Sequence, residues 1–444
     1  MFHKQKAVVL IILLFFVWQE VSGIQVQGFS PFITRENSPQ NRSIILMIGD
    51  GMGFGHVELG RYLKVGPSGN LSMEATEQWF SVYTKNVRKM ITDSTAAATA
   101  IATGVKTTNG KVAEEPDGTP LETILEIAKR QGKATGVVTT TSIQHATPAC
   151  FMAHVDSRHD YYEITRQIVE NASVDVLLGG GLTYFTSDDL QAMALSGYTL
   201  LTNRSSLEAA NASKLLGLFA DSHLPYEESR NLTLVPSLAA MTAKALKTLD
   251  RTPEGFFLMV EGGRIDHASH DNDLLATALE MVAFEHAVEV AQAYIKDHPQ
   301  TILLVTADHE TGGIEITGET LSSSLLPKAG MTEEENRTLL LARAANITVN
   351  WRSSGHTAEL VPLFCFGQPL ENLTTGFTID NTEIFQLMLA FYNHAILSLS
   401  TLKLAFALPG LVVLSLWVFL LSHLLKKKKA LFLKKRKNTF NRWR

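Results

Sequence analysis

Asp266 and His270 stand four residues apart, Asp308 and His309 stand side by side, and Asp50 lies between Gly49 and Gly51. Carboxylates and neutral imidazoles are zinc ligands, and oxygen donors alone suit magnesium. On a helix an i, i+4 pair shares one face, so Asp266 and His270 can share one ion. A sharp bend after a strand aims adjacent residues such as Asp308 and His309 at a metal. The glycines beside Asp50 let the backbone approach an ion closely. Ser94 opens an alanine-rich stretch, Ser94–Thr103, that reads as a helix. A helix start offers free N–H groups and partial positive charge to an anion. A serine hydroxyl becomes a competent nucleophile when metal coordination lowers its pKa. Each piece alone has a plainer reading. Asp-Gly is usually a turn, a lone His356 is usually a hydrogen-bonded or surface histidine, and Ser94 alone reads as a helix cap.

The elements that must position these residues are legible as apolar runs. Strands are expected at Ser43–Ile48, Thr135–Thr140, Val174–Leu178, Phe256–Val260, Thr301–Thr306 and Leu360–Phe364. Near-continuous apolar runs of this kind mark strands buried on both faces. Helices are expected at Ser94–Thr103, Leu121–Gln131, Leu238–Leu249 and Leu274–Lys296. The alternation predicts an α/β fold, a three-layer sandwich with a central, mostly parallel sheet flanked by helices. Ligands in such sheets bind beyond the carboxyl ends of the strands. Asp50, the His145/Thr147 pair, the stretch from Glu261 to His270, and Asp308-His309 all follow strands, while His356 precedes the last one. Ser94 is read as following a strand as well. This clustering argues for one shared site.

Six stretches in order make the chain resemble the alkaline phosphatase family across about residues 43–390. They are Met47–Gly53, Ile91–Ala100 with Thr103–Lys106 and Asn109-Gly110, His145–Pro148 with His154 and Ser157-Arg158, Val260–His270, Thr306–His309, and Ser354–Thr357. The resemblance implies a phosphomonoesterase with two Zn2+ and one Mg2+. One zinc is expected on Asp266, His270 and His356, the other on Asp50, Asp308 and His309. Magnesium is expected on Asp50, Thr147 and Glu261. Ser94 matches the nucleophile, Arg158 the phosphate clamp, and Asp93 a residue that orients that arginine. An arginine fork holds two phosphate oxygens at once, which lysine cannot do. Three positions depart from common family patterns. His145 is expected to meet magnesium through water, His267 stands where some members carry Lys, and Thr95 is larger than the Gly, Ala or Ser often found after the nucleophile. The implied chemistry is two successive in-line displacements through a phosphoserine, and the implied assembly is a homodimer.

The ends of the chain read as targeting segments. Lys4 and Lys6, an apolar run from Ala7 to Trp18 and the small residues Ser22-Gly23 predict a signal peptide over 1–23. The uncharged run 404–425 is long enough to span a bilayer as a helix, and the basic tail 426–444 predicts a cytoplasmic end. The catalytic domain, 24–395, is then extracytoplasmic at the cell membrane. Nine Asn-x-Ser/Thr sequons lie between the two segments, at Asn41, Asn70, Asn171, Asn203, Asn211, Asn231, Asn336, Asn346 and Asn372. Cys150 and Cys365 sit in apolar surroundings and read first as buried free thiols, with a single disulfide between them as the alternative.

Charge excludes one partner class. The net charge of −5 conceals ten Lys or Arg within 426–444. The remainder holds 29 basic residues against 44 acidic ones, so nucleic acid binding is not expected. Expected partners are small phosphate monoesters, the membrane and a second copy of the chain. Three other readings compete. A phosphodiesterase would clamp its substrate's charged oxygen less strongly, and Arg158 favours monoesters. A sulfatase would need Cys/Ser-x-Pro-x-Arg, which Ser94-Thr95-Ala96 does not match. A non-catalytic glycosylated ectodomain would be expected to have lost ligands, yet every matched ligand position carries a competent residue.

Overall fold

The computed structural model describes residues 41–320, 326–328, 330–370 and 375–393. The expected signal peptide, the 404–425 span, the basic tail and the Asn372 sequon lie outside the described residues. Among the described residues no helix is long and apolar enough to cross a membrane.

Fourteen strands are described. In chain order they are β1 (Ser43–Gly49), β2 (Trp79–Tyr83), β3 (Ala134–Ser142), β4 (Val176–Gly180), β5 (Thr199–Leu201), β6 (Leu215–Leu218) and β7 (Phe256–Gly262). There follow β8 (Thr301–Thr306), β9 (Glu310–Thr311), β10 (Ile314–Glu319), β11 (Ile347–Trp351), β12 (His356–Thr357), β13 (Val361–Phe366) and β14 (Thr378–Asp380). Ten of them form one sheet in the order β14-β2-β13-β8-β1-β7-β3-β4-β6-β5. Every neighbouring pair is parallel except those of β13, which runs against both β8 and β2. The sheet is therefore the mostly parallel one expected.

β1 lies at its heart, with Ile44, Ile45, Leu46, Met47 and Ile48 fully buried. Burial on both faces is what the unbroken apolar run required. Truncating a side chain such as Leu46 to alanine here costs about 2–5 kcal/mol. Helices Leu238–Leu249 and Leu274–Asp297 pack against each other, and both contact strands of the sheet. Helix Ser94–Thr103 is buried along its whole length, as a helix apolar on all sides must be.

Several boundaries differ from expectation for local reasons. The helix expected from Leu121 starts at Ile124, because Thr123 caps it: the Thr123 hydroxyl accepts from the Glu126 N–H while Glu126 reaches back to the Thr123 N–H. The strand expected from Val174 starts at Val176, and Asp175 uses its carboxylate to accept the Thr135 N–H and the Lys129 ammonium. No strand immediately precedes Ser94. β2 ends at Tyr83, and an irregular stretch, 84–93, carries the chain to the helix. Cys150 and Cys365 are both buried and free, as expected.

Candidate metal and nucleophile site

Four adjacent parallel strands, in the order β8-β1-β7-β3, deliver the site from their carboxyl ends. β1 ends one residue before Asp50, β7 carries Glu261, β8 leads into Asp308 and His309, and β3 leads to His145 and Thr147. Helix Arg264–His270 follows β7 at once and places Asp266 and His270 one turn apart. His356 arrives from the other direction. The two-residue strand β12 pairs antiparallel with β9, which sets His356 opposite Thr311.

All eight expected metal ligands converge. His270 Nε2 lies 3.4 Å from Asp266 Oδ2, His356 Nε2 lies 3.6 Å from Asp266 Oδ1, and the two Nε2 atoms are 3.1 Å apart. His309 Nε2 is 3.4 Å from both Asp50 Oδ1 and Asp308 Oδ2. His309 also belongs to a tight group with Asp266 and His356, and its ring stacks on that of His356 at 3.6 Å. It therefore stands between the two expected zinc positions. In the third group the ligand atoms of Asp50, Glu261 and His145 lie within 4.8 Å of one another. His145, expected to act only through water, thus stands among the expected magnesium ligands, with Thr147 buried nearby at the start of the short helix Ala146–Ala149.

Several ligand atoms in this region lack protein partners. Both carboxylate oxygens of Asp50, Oδ2 of Asp308, Oε1 of Glu261, Oγ1 of Thr147 and Nδ1 of His145 are buried without a hydrogen bond. Burying charged oxygens this way is costly unless a cation compensates. Burial, reinforced by the neighbouring carboxylates, pushes the Asp50 acid well above its ordinary value. Asp308 is pushed up to about 8 by burial and Asp266, and Glu261 to about 7 chiefly by burial. The donor set of carboxylates, one hydroxyl and imidazoles is that of zinc and magnesium. The residues present fit these ions.

The imidazoles are oriented for that task. His270 Nδ1 donates to the Ser354 carbonyl at 2.7 Å, and His356 Nδ1 donates to the Thr92 carbonyl at 2.8 Å. The Thr311 hydroxyl donates to Asp266 Oδ1 at 2.5 Å and lies 3.3 Å from His309 Nδ1. With its one proton committed to the carboxylate, that hydroxyl accepts from His309. All three rings therefore turn the Nε2 lone pair to the centre. Gly51 sits beneath this link at φ +72°, and a Cβ there would come within 2.8 Å of Thr311 Oγ1 and 2.9 Å of Asp266 Oδ1. Neither Thr311 nor the Thr92 carbonyl was identified from sequence. Their contacts are made across the fold, although the position of Thr311 two residues after His309 puts both on one face of an extended segment.

Ser94 is the first residue of its helix, and Asp93, not Ser94, is the cap: Asp93 Oδ1 accepts the Ala96 N–H at 2.9 Å. Relieved of capping, Ser94 Oγ lies 3.2 Å from His309 Nε2. Arg158 approaches through Nη1, 3.3 Å from Asp93 Oδ2, and Nη2, 3.4 Å from His145 Nε2. Asp93 thus contacts the arginine it was expected to orient. His267 lies at the edge of the site, where Arg264 Nη1 donates to its Nδ1 at 2.6 Å. Its ring packs edge-on to His145 and to His223, a further histidine the sequence did not single out.

The model of the family described as alkaline phosphatase matches residues 41–347. Among curated proteins, alkaline phosphatase 3 of Bacillus subtilis is 33% identical over 410 residues, covering 78% of this chain and 88% of that protein. Among solved structures, a cold-active alkaline phosphatase from a psychrophilic Shewanella species superposes with a TM-score of 0.68 at 30% identity, over 79% of this chain and 99% of that one. The Thermus thermophilus alkaline phosphatase gives a TM-score of 0.70 at 29% identity, over 80% and 91%.

Proposed function

Since this chain belongs to the alkaline phosphatase family and is a phosphomonoesterase, we propose that it works through a phosphoserine at Ser94 beside two zinc ions and one magnesium ion, on the outer face of a membrane. The observation that carries this reading is the meeting of Ser94 Oγ, 3.2 Å from His309 Nε2, with a ring of buried, unpartnered ligand atoms. Asp266, His270 and His356 would hold one zinc, and Asp50, Asp308 and His309 the other. Asp50, Thr147 and Glu261, with His145 adjoining, would hold magnesium. Bound there, the ions supply positive charge that lowers the serine pKa and neutralises charge on the entering and leaving oxygens.

The protein's own part is placement. Arg158 spans two phosphoryl oxygens with its fork, and Asp93 steadies the guanidinium. The N–H groups at the start of the Ser94 helix face the developing charge. Ser94 Oγ forms a bond to phosphorus as the ester P–O bond breaks, and the alcohol leaves with a proton. Water then attacks the phosphoserine, releasing phosphate and restoring the hydroxyl. Phosphoryl transfer depends on positioning and charge more than on further covalent chemistry, and these side chains supply both.

The remaining assignments rest on surface features, sequence and resemblance. Asn41, Asn70, Asn171, Asn211 and Asn231 are exposed, which supports a glycosylated, extracytoplasmic domain; the anchor at 404–425 is proposed from the apolar sequence of that run. The homodimer is proposed from the family resemblance. The function is tested by comparing turnover of aryl phosphate monoester, diester and sulfate, with metal content measured on the same preparation. Turnover of monoester with about two zinc and one magnesium per chain is expected. A preparation that binds these metals yet prefers diester or sulfate would overturn the proposal.

A further inference from the structure

Thr95, the residue after the nucleophile, is fully buried, and its hydroxyl donates to Asp93 Oδ2 at 2.7 Å. The same oxygen accepts the Gly110 N–H at 2.9 Å and is approached by Arg158 Nη1 at 3.3 Å. A carboxylate oxygen offers about two lone pairs, so Oδ2 faces three donors with room for two. The arginine is the donor that loses. A charge-assisted N–H···O bond ordinarily closes to about 2.7–2.9 Å, yet the Arg158 contact is the longest of the three. Asp93 Oδ1 is turned to the Ala96 N–H, and the Arg158 contact is made to Oδ2.

We propose that Thr95 is a positioning residue that loosens the phosphate clamp: by occupying a lone pair of Asp93 Oδ2, its hydroxyl keeps Arg158 weakly tethered and so favours release of the phosphate product. This rests on the assignment of Arg158 as the phosphate clamp under the proposed function. Gly110 ties the parts together. Its N–H lies 3.0 Å from Thr95 Oγ1 as well as 2.9 Å from Asp93, and its carbonyl accepts the Arg158 backbone N–H at 2.8 Å. Without the Thr95 hydroxyl, the Gly110 N–H retains its bond to Asp93, and the second lone pair falls to Arg158. An arginine already held in its fork has less rotamer freedom to lose when it meets phosphate.

The test compares T95V, which keeps the shape and removes the hydroxyl, with T95S, which keeps the hydroxyl, and with T95A as a second removal should the valine not fold. Binding of inorganic phosphate is measured by calorimetry on the metal-loaded protein, beside kcat and KM for an aryl phosphate. T95V or T95A is expected to bind phosphate about fivefold more tightly with a lower KM, while T95S stays at the wild-type value. Unchanged or weaker phosphate binding in the hydroxyl-free variants overturns the role of Thr95. The parent assignment fails separately: it falls if R158A, in the wild-type Thr95 background, binds phosphate as tightly as wild type.

Discussion

His356 Nδ1 donates at 2.8 Å to the carbonyl of Thr92, two residues before Ser94. A residue proposed as a metal ligand and the strand-free approach to the proposed nucleophile are thereby one mechanical unit. The His356 ring is tied to the loop that aims the serine, beside the direct contact between Ser94 Oγ and His309 Nε2.

Ser94 itself is the sharpest test. It makes no capping bond, because Asp93 fills that role, so S94A is expected to fold and keep its metals. Its monoesterase kcat should fall by more than about a thousandfold, with no phosphoenzyme trapped on acid quench. Near-normal turnover in S94A would remove the phosphoserine pathway.

Arg158 should be replaceable by lysine only at a cost. R158K keeps the charge but loses the planar fork. A loss of about ten- to a hundredfold in kcat/KM for monoesters is expected, corresponding to ~1.5–3 kcal/mol for hydrogen bonds to a charged group. Diester turnover should change less, so the ratio of the two activities is the measurement to follow.

Thr311 links the two expected zinc positions through Asp266 and His309. T311V removes that link without changing shape, and zinc affinity measured against a competing chelator is expected to weaken about ten- to a hundredfold. T311S should restore it.

Metal removal should invert the protein's response to alkali. Without cations, burial raises Glu261 to about 7 and Asp308 to about 8. His270 is raised to about 9, first by its bond to Asp266. Each of these groups holds its proton more tightly folded than unfolded. The folded state is therefore favoured at low pH and loses that advantage as pH rises through the folded pKa. Glu261 and Asp308 act from about pH 4 up to about 7 and about 8, and His270 from about pH 6.5 to about 9, so at least one of the three lowers stability at every step between about pH 6.5 and about pH 9. The Tm of chelated protein is expected to fall across this window, while that of the zinc- and magnesium-loaded protein stays nearly level. Parallel curves for the two forms would show that these carboxylates do not face the ions.

The buried half of this architecture was legible because burial leaves a pattern in the chain. β1, β7 and β8 are unbroken apolar runs, and each was placed within a residue or two of its observed limits. Of the sheet's ten strands β2, β5, β6 and β14 were not anticipated, and neither were β9, β10, β11 and β12 outside it. β5 and β14 are three-residue strands at the sheet's two edges, and β2 has alternating exposure that carries less apolar signal. The candidate ligands were legible through six ordered motifs. The residues that orient them were not, because a backbone carbonyl such as that of Thr92 has no sequence signature, and Thr311 matters only through what the fold sets beside it.

The reversed course of β13 has a further effect. Since β12 pairs with β9 just before it, the chain leaves the centre after Thr311 and re-enters at His356 through the same two-stranded neck. Between them β10, helix Glu333–Ala344 and β11 turn back onto the body: Ile314, Leu340, Ala344 and Ile347 share an apolar cluster with Leu59, Leu63 and Leu279, and the buried Arg343 donates to the Leu63 carbonyl at 2.6 Å. The segment is therefore anchored along its inner face as well as at its base, so a recognition module grafted here must keep those buried contacts and alter only the exposed side.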